Sequence, residues 1–150
     1  MLLPPNGSQG YRQATITRWL TRAGEHAQTL HERSFRNLHI PHLQLDELRT
    51  RLRKATQILW LWLAIDPLTK IIPVLELGPR TQKTAHVLIH SLRQFLTPGC
   101  LPLFTSDGLN LYFYALTAHF GHWYQVHRRG RKVLRWQVAM GLIDGQVKKC

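Results

Sequence analysis

Two aspartates carry the chemistry this sequence could support. Asp46 stands inside an apolar, strand-like stretch, LeuGlnLeuAspGluLeu (43–48), and Asp107 closes another, LeuPheThrSerAspGly (103–108). A carboxylate inside an apolar strand is costly unless it is ionised against a partner or a metal. Two of them on neighbouring strands repel each other, and a divalent cation relieves that repulsion. Hard oxygen ligands, with a substrate phosphate completing the shell, are what Mg²⁺ (or Mn²⁺) requires for phosphoryl transfer. Taken alone, either residue reads as an ordinary strand-end or turn aspartate; the signal is the pair and its place along the chain.

The chain has eight acidic residues, so the competitors can be weighed singly. Asp66 precedes Pro67 and is accounted for as the first corner of a type I turn, Asp66-Pro67-Leu68-Thr69. Glu47 follows Asp46 and so points to the opposite face of a strand, as a group supporting the site or as an exposed one. Asp144 precedes Gly145 in an apolar run and reads as a strand or turn residue rather than a third metal ligand. His119 and His122 sit three apart at a helix end. With no third ligand in view they read as a helix terminus.

The basic residues fall into two groups. Arg49, Arg51 and Arg53 have period two and share a strand face if the strand extends that far. His127, Arg128, Arg129, Arg131 and Lys132 surround Gly130 and suggest a basic hairpin tip. Such charges would position nucleic acid through its phosphates without reading sequence; a solvated surface is the alternative for any one of them. Twenty Lys and Arg against eight Asp and Glu give a net charge of +12, which calls for a polyanionic partner, nucleic acid before anionic membrane. A general basic RNA-binding protein is a further class with this composition, but phosphate binding alone needs no buried acids. The longest apolar run, Ile58–Ile65, is eight residues, against the roughly 20 of a membrane span. Cys100 and Cys150 are far apart and in no metal-ligand spacing, which fits a reducing cytosol. The MetLeuLeuProPro start lacks the basic and apolar regions of a signal peptide.

These residues need elements to hold them. A helix is expected at about 13–23, with Gly24 as its stop and with Ile16, Trp19, Leu20 and Ala23 on one face. Residues 39–52 read as a strand with a phase slip near Glu47. The continuous run 58–65 suits a central strand covered on both faces. Residues 70–77 resume a β-branched run that Pro73 confines to an edge. A helix at about 81–96 carries the stripe Ala85, Leu88, Ile89, Leu92 and Leu96. A short strand at 101–105 follows. A second helix, about 109–120, has the stripe Leu109, Tyr112, Phe113, Leu116 and Phe120 and stops at Gly121. Residues 138–147 form a last strand. The order β-β-β-α-β-α-β predicts an α/β fold with a mixed sheet and helices on its faces, behind an N-terminal helical segment at 1–37.

Four segments in order carry a family resemblance: HisLeuGlnLeuAspGluLeu (42–48), TrpLeuTrpLeuAlaIleAsp (60–66), LeuGlyProArgThrGln (77–82) and PheThrSerAspGlyLeuAsnLeuTyr (104–112). Together they resemble insertion-sequence transposases of the Asp-Asp-Glu type, over about 38–123. ThrIleThrArgTrpLeuThrArgAlaGly (15–24) resembles the recognition helix that precedes such cores. The resemblance implies an RNase H-like (retroviral-integrase-like) catalytic core at 38–150, with Asp46 and Asp107 as its first two catalytic acids. It also implies transposon-end DNA as partner and Mg²⁺-dependent strand cleavage and joining in a bacterial cytoplasm. The family's third acid, a Glu on a helix after the fifth strand, has no counterpart before Cys150. The expectation is therefore a partial core without strand cleavage of its own, which could act with a second copy or an intact relative. The alternative is a non-enzymatic DNA-binding regulator of transposition.

Overall fold

The computed structural model describes residues 11–51 and 58–147. Arg53 and the end of the first expected strand, Leu52, lie outside the described residues. The chain divides into two compact units, Met1–Phe35 and Arg36–Cys150.

The described part of the first unit is a helix, α1 (Gln13–Ser34), none of whose residues is buried. It runs ten residues beyond the expected stop at Gly24. An interior glycine costs a helix only about 1 kcal/mol relative to alanine. The following residues, AlaGlnThrLeuHisGluArg, are compatible with helix, and Gln28 bonds Glu32 one turn on at 3.0 Å. Ile16, Trp19 and Leu20 are exposed, and the Trp19 ring packs edge-on against Tyr11.

The second unit is α/β. Its elements are β1 (His42–Arg51), β2 (Ile58–Ile65), β3 (Val74–Gly78), α2 (Gln82–Phe95), β4 (Leu103–Ser106), α3 (Asn110–His119), β5 (Gly121–Arg128), β6 (Arg131–Val138) and β7 (Asp144–Gln146). β3, β2, β1, β4 and β7 form one mixed sheet in that order, and β5 pairs with β6 in a separate two-stranded sheet. β1, β2 and β3 are an antiparallel meander, whereas β4 pairs parallel with β1 and β7 parallel with β4. The meander ends at the sheet edge, and β3 begins just after Pro73, which has no N–H for the ladder.

Two helices cover one sheet face. Thr81 caps α2, and the expected stripe Ala85, Leu88, Ile89, Leu92 and Leu96 is buried to the last residue. In α3 the buried residues are Tyr112, Ala115 and Leu116; Phe113, assigned to the stripe, is exposed. On this face lie Leu43 and Leu45 of β1, Trp62 and Ala64 of β2, and Phe104 of β4, all buried. Trp62 meets Tyr112 edge-to-face, and Phe104 meets Phe120.

The other face is open, which corrects two expectations. β2 is fully covered on one face only, its Leu61 and Leu63 being half-buried. β1 has no phase slip: its pairing with β2 is continuous from Gln44 to Arg51. Leu48 simply belongs to the opposite face, where it is exposed together with Leu75 and Leu77 of β3.

After α3 the chain departs further from the expected order. α3 ends at His119, just before the expected stop, and Gly121 itself opens β5. A Cβ there would lie 2.4 Å from the Gln137 carbonyl oxygen and 2.6 Å from the Trp136 ring, so the strand crossing needs glycine. The basic segment at 127–132 does form a hairpin tip. Arg129 and Gly130 both take positive φ, 47° and 76°, the requirement of a tight two-residue turn whose twist matches its strands. The last expected strand, 138–147, splits. Val138 ends β6, Ala139 and Leu142 close a turn, and only Asp144–Gln146 joins the main sheet. Among the described residues no helix is long and apolar enough to cross a membrane.

Candidate functional site

Asp46 and Asp107 are brought together by register. β1 and β4 run parallel, with Gln44 beside Thr105. Asp46 lies two residues beyond Gln44, and Asp107 two beyond Thr105. There β4 has ended while β1 continues against β2, so the sheet opens. His42, Gln44, Leu45, Asp46, Thr105, Ser106, Asp107 and Val147 line a cleft of about 740 Å³ at this point.

The two carboxylates are held by their own backbones. Asp46 Oδ1 accepts the Glu47 N–H at 2.8 Å, and Asp107 Oδ1 accepts the Leu109 N–H at 3.3 Å as the chain turns into α3. Each engages one oxygen in this way and leaves Oδ2 out of that bond. Carboxylate oxygens of this kind are the donors a hard divalent ion takes, with water or phosphate in its remaining shell. Among the described residues no group of three His, Cys, Asp or Glu is placed to hold a metal. His42, which also lines the cleft, has its Nε2 at 2.9 Å from Thr105 Oγ1.

Behind Asp46, on the helix-covered face, lies a network centred on Glu47, which the sequence offered as a supporting group without its partners Arg80 and Tyr112. Glu47 is neither exposed nor idle. Its side chain is only 3% accessible, and Oε1 accepts from Arg80 Nη2 at 2.6 Å and from Nε at 3.1 Å. Oε2 accepts the Tyr112 hydroxyl at 2.9 Å. Arg80 in turn lies over the Trp60 ring, 5.1 Å from its centroid. Burial pushes the Tyr112 hydroxyl far above its ordinary pKa, and the negative charge of Glu47 adds to this, as do those of Asp46 and Asp107. Tyr112 is thus a fixed donor. The network ties β1, the β3–α2 turn and α3 together directly behind the cleft. The signals for it were present but indirect: a polar residue on the core side of β1, and a tyrosine within an apolar stripe.

The other acids take other roles. Asp66 caps its turn, Oδ1 accepting the Leu68 N–H at 2.9 Å and Oδ2 accepting the Thr69 hydroxyl. Those two bonds, Thr69 first, hold its carboxyl below the ordinary range. Asp66 does not line the cleft. Asp144 does not either. It pairs with Phe104 across β4–β7, and both its carboxyl oxygens are buried without a hydrogen-bond partner. Burial raises its pKa; the Gln146 and Ser106 side chains oppose the shift from outside hydrogen-bond geometry.

His119 has partners that the spacing to His122 did not reveal. Its Nε2 is 3.3 Å from Nδ1 of His86 on α2, and its ring is 5.5 Å from that of His90. Burial first, then the neighbouring His86, His90 and Arg93, lowers its pKa. His122 lies on β5, 6.4 Å ring to ring from Tyr124.

Of the basic residues, Arg49 and Arg51 are exposed and share the strand face of Glu47. Arg128, Arg129, Arg131 and Lys132 are exposed at the β5–β6 tip. No family model matches the chain, and neither curated proteins nor solved structures give a match.

Proposed function

We propose that this chain is a DNA-handling core of the Asp-Asp-Glu transposase type, RNase H-like in fold, with Asp46 and Asp107 as its paired catalytic acids. One observation carries the reading: two carboxylates, one on β1 and one just past the end of its parallel neighbour β4, line a single cleft. The sheet order supports it, three antiparallel strands at one side and two added in parallel by way of α2 and α3.

In this reading Asp46 and Asp107 hold one Mg²⁺ or Mn²⁺, which would supply Lewis-acid polarisation of a phosphodiester and stabilise developing charge on its oxygens. The protein's own part is positional. Glu47, clamped by Arg80 and Tyr112, fixes the backbone of β1 immediately beside Asp46. The turn into α3 fixes Asp107. Arg49 and Arg51 at the far end of β1, and the tip residues Arg128, Arg129, Arg131 and Lys132, neutralise DNA phosphates. The DNA partner would be a transposon end. α1, with Arg12, Arg18 and Arg22 beside exposed Ile16 and Trp19, is proposed as a DNA-contacting helix of helix-turn-helix origin.

A second reading is favoured by the lack of a third ligand beside the pair among the described residues. It is DNA binding without strand cleavage, as a regulator of transposition would require. Both readings demand phosphate-dominated DNA binding. Affinity for a labelled duplex, followed by fluorescence anisotropy, should fall with salt by a log–log slope of several units, about 0.9 per phosphate neutralised. A flat salt response, or no binding at low salt, excludes both. A Mn²⁺-dependent rise in Tm that is lost in Asp46→Asn and Asp107→Asn selects the first reading.

A further inference from the structure

The β5–β6 ribbon stands apart from the cleft and its supporting network. Its two strands pair along their full length, Gly121 with Val138 through Arg128 with Arg131. It is anchored at its base. Trp136 Nε1 donates to the Thr117 carbonyl at 2.8 Å, and Ala139 N–H donates to the Phe120 carbonyl at 3.0 Å. Beyond that base nothing covers it, and no residue of either strand is buried. An isolated two-stranded ribbon is marginal in water on its own. This one also displays Trp123 at 64% and Leu134 at 60% exposure.

Its charge is one-sided. From Gly121 to Ile143 the sequence has five Lys and Arg and no Asp or Glu. Strand alternation sorts the side chains onto two faces. Trp123 pairs with Trp136, Gln125 with Leu134 and His127 with Lys132 on one face. That face meets the body of the protein at its base through Trp136. The opposite face has three successive cross-strand rows: Tyr124 with Arg135, Val126 with Val133, and Arg128 with Arg131. A basic row, an apolar row and a second basic row therefore follow one another along the free face.

We propose that this face docks in the major groove of duplex DNA. The inference rests on the DNA-handling reading above and specifies where and how the duplex is held. A two-stranded ribbon fits a groove about 12 Å wide. Arg131 and Arg135 are four residues apart on β6, roughly 13 Å along the strand, and so set two charges along the length of the groove. The Val126–Val133 row between them meets base edges, where a thymine methyl offers an apolar contact. Single-stranded DNA would call for successive aromatic platforms along one face, and the free face has its aromatic residues, His122 and Tyr124, only at the base end. An anionic membrane would take up an apolar face opposed to a basic one, and the vesicle arm of the test separates that outcome.

The test uses the full chain and a labelled random-sequence duplex. The triple variant Arg128→Gln/Arg131→Gln/Arg135→Gln should lower the salt slope by two to three units, at about 0.9 per lost phosphate contact. Wild-type protein should protect guanine N7, a major-groove atom, from dimethyl sulfate, and the triple variant should not. Val126→Asp, on the same exposed face, should abolish protection with Tm unchanged. An unchanged slope, or protection that persists in both variants, overturns the ribbon proposal while leaving the DNA-handling reading in place. Tighter binding to single strands than to duplex, or to phosphatidylserine vesicles than to duplex, also overturns it. No binding of wild-type protein to any nucleic acid overturns the DNA-handling reading itself.

Discussion

The Tyr112 hydroxyl on α3 donates a 2.9 Å hydrogen bond to Oε2 of Glu47 on β1, while Arg80 holds Oε1 of the same carboxylate from the β3–α2 turn. Glu47 is therefore a buried charge with two partners of unequal kind. Its guanidinium partner is 42% exposed and can turn to water; the carboxylate, at 3%, cannot. The costs of removing each member should differ accordingly. Arg80→Met strands a buried carboxylate and should cost about 3 kcal/mol, the lower end of the range for breaking a buried pair. Tyr112→Phe removes one hydrogen bond to a charged group, about 1.5–2 kcal/mol. Glu47→Gln keeps an acceptor and frees an Arg that water can solvate, and should cost least. Urea unfolding of the three variants checks the order. Equal losses for Arg80→Met and Glu47→Gln would show that the ion pair is not buried as described.

The Asp66 turn makes a statement about pH. Its carboxyl is held below the ordinary value of 3.8 by the Thr69 hydroxyl and the Leu68 N–H. A depressed folded-state pKa adds stability that is fully present above 3.8 and is lost as pH falls through the folded value. Asp66→Ala should lower Tm at neutral pH. It should also flatten the decline of Tm between roughly pH 5 and pH 2. A variant whose Tm falls with acid as steeply as the wild type would remove the turn carboxylate from the account.

Asp144 should behave in the opposite sense. Burial raises its pKa above 3.8, so the fold favours the protonated carboxyl. The penalty is absent below the ordinary pKa, grows as pH rises through the folded value, and is complete above it. Asp144→Asn should raise Tm at pH 7. The gain should vanish in acid. Loss of Tm at neutral pH would mean that the ionised carboxylate has a stabilising partner, contrary to its two unpartnered oxygens.

The sheet and its helices were legible because their signals are local and periodic. The meander, the Pro73 edge and the α2 stripe each follow from spacing and turn residues along one stretch of chain. Features that depend on distant residues were not legible. Gly121 looks like a helix stop in sequence; that it admits Trp136 is visible only once β6 folds back upon it. Gly24 likewise looks like a stop, but its cost is too small to end a helix whose next ten residues are helix-compatible. In the site, Asp46 and Asp107 stood out as acids in apolar strands, and a parallel crossover followed from the β-α-β order; that β4 lies beside β1, with Gln44 against Thr105, did not. The roles of Arg80 and Tyr112 could not. Both depend on Glu47 facing the helices, which required the face of β1 to be assigned correctly past the false phase slip.

The central claim is that Asp46 and Asp107 jointly hold one divalent ion, and its most direct measurement is the Mn²⁺-dependent shift in Tm of the chain and three variants. A ligand that binds only the folded state stabilises it by RT ln(1 + [L]/Kd), about 2.7 kcal/mol at one hundred times Kd. Wild-type protein and Asp66→Asn should show the shift, and Asp46→Asn and Asp107→Asn should each lose it. A shift that survives in both Asp46→Asn and Asp107→Asn, or that disappears only in Asp66→Asn, would contradict the assignment of the pair.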